Sequence, residues 1–162
     1  MRFKLLMVLA AGLMLAACGS SDREAAPTTT GGNTTGSTVS SGAAPGSQEQ
    51  LVQQVGDRVF FDTDRSEIKP QARSTIEALA AWMNEHPGVA LTVEGHCDER
   101  GTREYNLALG ERRANAVRDY LVALGISGNR VGTISYGKER PAVPGSSESA
   151  WAQNRRGVFV VR

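Results

Sequence analysis

The stretch Gly95-His96-Cys97-Asp98-Glu99-Arg100-Gly101-Thr102-Arg103-Glu104-Tyr105-Asn106-Leu107-Ala108-Leu109-Gly110-Glu111-Arg112-Arg113-Ala114-Asn115-Ala116-Val117 joins a strand to a helix. Before it, Val89, Leu91 and Val93 alternate with Ala90, Thr92 and Glu94, the period-two pattern of a half-buried strand. After its glycine turn a helix is expected over roughly Glu104 to Leu124. Leu107, Ala114, Val117, Leu121 and Leu124 would form its buried stripe, with Gly125 placed to cap it. An acid and several arginines therefore meet at one strand-to-helix junction.

Helical geometry separates the two adjacent arginines. At about 100° per residue, Arg112 points away from the apolar stripe and is expected in water. Arg113 falls one turn before Val117 and one turn after Leu109, beside the apolar face, and Asn106 has nearly the same bearing two turns earlier. Asn106, Leu109 and Arg113 thus line the flank that faces Asp98 at the end of the strand. A guanidinium at the margin of a core needs an anionic partner or a ligand to offset its desolvation. Two arrangements satisfy that need. Asp98 and Arg113 form a structural salt bridge, or they face a zwitterion, with Arg113 taking its carboxylate through a two-pronged fork and Asp98 its ammonium.

Outward from the junction, Arg58 to Asp62 reads as a buried strand and Asp62 to Ser66 as a polar turn. Pro70 fits the first turn of a helix, with Ile68 available as a staple. Ala72, Ile76, Leu79 and Met83 recur at helical spacing, and His86-Pro87-Gly88 stops that helix. Val131 to Tyr136 is a third strand. Gly137 to Asn154 is a long loop with Pro141 and Pro144 and a turn of helix near Glu148 to Gln153. Gly157 to Val161 is a last strand, and Gln48 to Gln54 a short helical turn. Strands alternating with two long helices give an α/β fold, a two-layer sandwich of about 110 residues, enough for an independent core.

Upstream of this domain the composition changes twice. Leu5 to Ala17 is apolar apart from Gly12, behind a short basic start at Arg2 and Lys4. Roughly a dozen apolar residues fall short of the ~20 a membrane-spanning helix needs, but they have the length of a secretory signal. Leu15-Ala16-Ala17-Cys18-Gly19 resembles the bacterial lipobox, in which the cysteine becomes the acylated N-terminus. The resemblance implies three acyl chains, and two or more anchor firmly. Gly19, rather than an acid, after the cysteine implies the outer membrane by analogy with enterobacterial sorting. Ser20 to Ser47 is Thr, Ser, Gly, Ala and Pro, too poor in large apolar side chains to offset chain entropy, and is expected to be a disordered tether. Its r.m.s. span is ~30 Å and its extended limit ~100 Å. The expected divisions are a signal peptide over 1–17, acylated Cys18 and linker over 18–48, and a globular domain over 49–162.

Charge and residue counts exclude several functions. The chain carries 18 basic and 17 acidic side chains. Without Arg2 and Lys4 the balance is near neutral, which leaves no electrostatic footprint for nucleic acid. Two cysteines far apart do not make a disulfide scaffold. His96-Cys97-Asp98 lacks the three or four ligands of a zinc site, the other histidine being His86 beside Pro87, so no metal and no cofactor are expected. Cys97 has no second histidine placed as its base, which disfavours a nucleophile. The glycines match neither nucleotide-binding pattern.

Glu94-Gly95-His96 with Asp98-Glu99-Arg100-Gly101, Tyr105-Asn106, Leu109 to Val117, Ser135 to Val143 and Asn154-Arg155-Arg156 closely resemble the peptidoglycan-associated lipoproteins, part of the wider OmpA-like C-terminal domain family. The likeness spans about Val59 to Arg162. It implies an α/β sandwich with a mixed four-stranded sheet, no enzymatic activity, and non-covalent binding of peptidoglycan through the diaminopimelate of its stem peptide. Carried over by motif position, the ligand residues are Asp98 and Arg113, with Asp64, Asn106 and Leu109. Thr63 stands where the family often has an aromatic, and Cys97 where Ala or Thr is usual, open there to oxidation or to pairing between molecules. The family also implies TolB and TolA of the Tol–Pal system as partners, an outer-membrane location facing the periplasm, and a role in envelope integrity and cell division. The rival functions are a lipid-anchored cell-wall hydrolase using Cys97 or His96, and an OmpA-type lipoprotein of another envelope machine.

Overall fold

Residues 42–162 are described by the computed structural model; the expected signal peptide, Cys18 and most of the linker lie outside them. Order begins before the expected boundary at 49. Ser47 N–H donates to the Ala44 carbonyl at 3.0 Å, and the Ser47 hydroxyl caps helix α1 (Gln48–Gln54). Leu51 carries α1 into the core. Gln48 fastens its start to the last strand, accepting from Val161 N–H at 2.8 Å and donating to the Phe159 carbonyl at 3.0 Å.

The other elements follow as β1 (Arg58–Phe60), α2 (Pro70–Glu85), β2 (Leu91–His96), α3 (Arg103–Ala123), a 3-10 turn (Gly128–Arg130), β3 (Val131–Gly137), α4 (Glu148–Asn154) and β4 (Arg156–Val161). The sheet order is β1-β4-β2-β3. β4 runs antiparallel to both neighbours and β3 runs parallel to β2, so the sheet is mixed. A parallel pair needs a long crossover, which α3 supplies.

Strand alternation decides which face the helices cover. Val59, Leu91, Val93 and Phe159 are buried against Ile76, Leu79, Met83, Val117 and Leu121 of α2 and α3. Arg58, Glu94 and Val158 share a register position on the opposite face. α3 approaches the sheet through two glycines: a Cβ on Gly95 would collide with the Gly110 carbonyl.

Pro70 occupies the first turn of α2, as expected. Its C-terminal end is held by Arg130, which donates to the carbonyls of Met83 and His86 at 2.8 Å and of Val89 at 2.9 Å. α3 ends where Gly125, at φ 94°, donates to Val122 O and Ile126 to Leu121 O, the double closure of a Schellman turn. Two expected members of the α3 stripe are corrected. Leu107 is 44% exposed and Leu124 37%. The buried arc of α3 runs through Asn106, Gly110, Arg113, Val117 and Leu121 instead. Leu124 is already the cap residue, and the reversal at Gly125 sends Ile126 into the core in its place.

Candidate functional site

β2 ends at His96, and Asp98 follows it into the loop that opens α3. Asp98 is nearly buried, at 7% exposure. Its partners are two arginines, neither of them Arg113. Arg100 grips it through Nη2 at 2.7 Å and Nε at 3.1 Å, with the Arg100 backbone N–H also at 3.1 Å. Arg155 Nη1 reaches Asp98 Oδ2 at 3.3 Å. Burial pushes the Asp98 carboxyl up, but the hydrogen bonds from Arg100 and Arg155 outweigh it and hold the group below its ordinary value. Asp98 is therefore an anion at neutral pH.

The two cations differ in exposure. Arg155 is buried, with Nε on the Phe61 carbonyl at 3.2 Å and Nη2 on Glu148 at 2.6 Å. Arg100 has a half-exposed side chain whose guanidinium lies 4.1 Å over the Trp151 ring. Trp151 is fixed in turn by Nε1 donating to Glu99 at 3.1 Å. Arg100 is thus the more exposed of the two cations on Asp98.

Arg113 is fully buried, at 0% exposure, while Arg112 beside it is exposed, as the helical bearings require. Of the two arrangements the sequence leaves open, the Asp98–Arg113 salt bridge does not form, and Arg113 does not offer a free two-pronged fork. Arg113 Nε donates to the Arg65 carbonyl at 2.9 Å, Nη1 to the His96 carbonyl at 2.8 Å, and Nη2 to the Asp62 carbonyl at 2.9 Å. Nη1 also meets Cys97 Sγ at 3.4 Å. Desolvation by burial lowers the Arg113 pKa from its ordinary value, against the pull of Cys97 and Asp98. Arg113 pins the Asp62–Arg65 loop to the end of β2 and places a cation beneath the site.

That loop forms one wall of a pocket of about 200 Å³ lined by Thr63, Asp64, Arg100, Gly101 and Tyr105. Asp64 holds the left-handed region at φ 55°, which among non-glycine residues aspartate and asparagine adopt most readily. A larger groove of about 320 Å³ between β1 and the start of α2 contains none of the expected site residues.

The domain model of the OmpA family matches residues 60–155. A peptidoglycan-associated lipoprotein of Rhizobium meliloti (strain 1021) is 54% identical over 122 residues, 75% of this chain and 69% of that protein. One of Agrobacterium fabrum (strain C58) is 48% identical over 154 residues, 95% of this chain and 86% of that protein. The crystal structure of the peptidoglycan-associated lipoprotein from Burkholderia pseudomallei superposes with a TM-score of 0.64 at 40% identity, covering 65% of this chain and 90% of that one. The chain belongs to the peptidoglycan-associated lipoproteins of the OmpA family.

Within this OmpA-family domain the five expected site residues take different depths. Asp64 lines the pocket. Asp98 lies under Arg100, and Asn106, Leu109 and Arg113 are buried below. Asn106 shapes the floor, its amide donating to the carbonyls of Arg100 at 2.7 Å and Thr102 at 3.1 Å. Lys138 closes the same loop from outside, donating to Glu99 O at 3.1 Å and Gly101 O at 2.7 Å. Arg100, Arg155 and Tyr105 lie in the motifs that carry the family resemblance but are not among the expected ligand residues. Beyond that resemblance, only Arg100, two residues from Asp98, has a spacing that points to the site.

The hydrolase chemistry has no support in this OmpA-family site. Cys97 is buried, and that burial pushes its thiol up to about 11, so it is neither a thiolate nor reachable for pairing between molecules. His96 is buried, and desolvation with the nearby Arg156 lowers its imidazole to about 4. Among the described residues no three His, Cys, Asp or Glu side chains cluster as metal ligands.

Proposed function

We propose that the chain is a non-enzymatic tether of the outer membrane, lipid-anchored at Cys18 and facing the periplasm, whose OmpA domain binds peptidoglycan through the diaminopimelate of its stem peptide. The observation that carries this is the ion pair at Asp98: a buried carboxylate held anionic, covered by a half-exposed guanidinium at the mouth of a polar pocket. A side-chain end with an ammonium and a carboxylate on one carbon suits both halves of that pair. The ammonium replaces Arg100 on Asp98, and the released Arg100 faces the carboxylate. Asp64 lines the entrance. Arg113, Asn106 and Leu109 act from below, keeping the two loops at the spacing the ligand needs. The relatives are peptidoglycan-associated lipoproteins, which supports the choice of ligand. As a component of the Tol–Pal system, with TolB and TolA as partners and a role in envelope integrity and cell division, the chain would follow its family.

The test is titration of the folded domain with a diaminopimelate-containing stem peptide. Asp98→Ala is expected to abolish binding with the fold intact, Arg100→Ala to alter affinity, and Arg112→Ala to leave it unchanged. Unchanged affinity in Asp98→Ala overturns the proposal.

A further inference from the structure

The two edges of the sheet are unlike. β1 is three residues long and carries Arg58, the short charged form that discourages pairing with another chain. β3 runs seven residues, Val131-Gly132-Thr133-Ile134-Ser135-Tyr136-Gly137, without a charge. Among the described residues nothing pairs with its outer side, and Ile134 at its centre is 41% exposed. A long uncharged edge is a template for an added strand.

One flank of α3 runs beside that edge and carries Leu107, Glu111, Arg118 and Val122, a set on neighbouring bearings of the helix. Its start is tied to the end of β3 by Ser135 Oγ donating to the Leu107 carbonyl at 2.7 Å. Its far end, at Arg118 and Val122, packs near Gly128 just before β3. Leu107 and Val122 are each 44% exposed. Among the described residues neither Glu111 nor Arg118 makes an ion pair. Arg118 Nε is buried without a hydrogen-bond partner.

We propose that this surface binds a second copy of the chain, with β3 pairing antiparallel to β3 about a twofold axis to give one continuous eight-stranded sheet. Self-complementarity picks the occupant. An axis passing α3 between Ala114 and Asn115 brings Leu107 against Val122 of the second copy and Glu111 against Arg118 of the second copy, each contact occurring twice. The spacing agrees: strands lie ~4.8 Å apart and α3 packs over β2 and β3, so the two α3 axes come ~10 Å apart, the distance of packed helices. No charge on β3 meets its own copy.

The full chain in detergent is the sample. Chains carrying Leu107→Cys or Val122→Cys, oxidised separately and as a mixture, read the geometry. Residues 107 of the two copies would lie ~22 Å apart along α3, as would residues 122. A disulfide-linked dimer is therefore expected only in the mixture; Cys18 and Cys97 are common to every sample and set the background. Equal cross-linking in the separate samples, or none in the mixture, overturns the proposal. By sedimentation equilibrium, Glu111→Arg and Arg118→Glu should each weaken dimerisation about tenfold and the double reversal should restore it. A chain that stays monomeric at about 100 µM, or a double reversal no tighter than the singles, overturns it as well.

Discussion

Arg113 spends its donors on three carbonyls rather than on a carboxylate. Its loss unlinks the Asp62–Arg65 loop from β2 and strips the buried His96 carbonyl of this donor, at about 1–3 kcal/mol for that group. Arg113→Met should therefore destabilise the domain by roughly 1–3 kcal/mol, read as a lower urea midpoint, with ligand binding lost alongside. Arg113→Lys keeps the charge but not the fork and should fall between; a lysine variant with the wild-type midpoint would refute the clamp. His96 sets a pH dependence. Its folded value is lowered to about 4 from an ordinary 6.5, so below pH 6.5 the unfolded chain takes the proton first. Stability should fall as pH drops from about 6.5 to about 4, and His96→Gln should flatten that slope in thermal melts. Asp98 acts in the same sense further down, its contribution fading as pH falls through its depressed folded value. The separation of Arg112 from Arg113 was legible in the sequence because bearing on a helix follows from spacing alone. The partners of Arg113 were not, because spacing gives bearing and not depth. Arg155, 57 residues from Asp98, meets it only because β4 lies beside β2.

At the scale of elements, the junction depends on how closely α3 lies on β2. Gly95 and Gly110 permit a backbone-to-backbone approach that no side chain fits. Gly95→Ala should cost about 3 kcal/mol or prevent folding, since neither backbone can yield without moving α3; circular dichroism melts would check it, and a melting temperature within two or three degrees of wild type (about 1 kcal/mol or less) would contradict the close contact. Each strand and helix was legible to within a few residues, since alternation and helical spacing mark them directly. The buried face of α3 was not. Three of its inward positions are Asn106, Gly110 and Arg113, polar or small for reasons of loop shape, close approach and clamping. Leu107 and Leu124, which fit the apolar count, are exposed. Hydrophobic periodicity misleads where a helix faces both a core and a site.

For the whole molecule, the proposed lipid anchor at Cys18 would decide where the domain works. Cys18→Ser is expected to release the chain into the soluble periplasmic fraction, and recovery of that variant with membranes would contradict lipid anchoring. The domain also has two ends. Gln48 holds the entering chain against Phe159 and Val161 at one end of β4. Arg155, at the other end, touches Asp98. A pull between the entering chain and a ligand at Asp98 therefore runs lengthwise along β4 and β2, across hydrogen bonds that lie perpendicular to it. Those bonds are loaded together, in shear, rather than opened one by one as in a peeled strand. The two amide contacts of Gln48 are where such a force first enters the sheet, which makes a single glutamine the coupling between tension and fold.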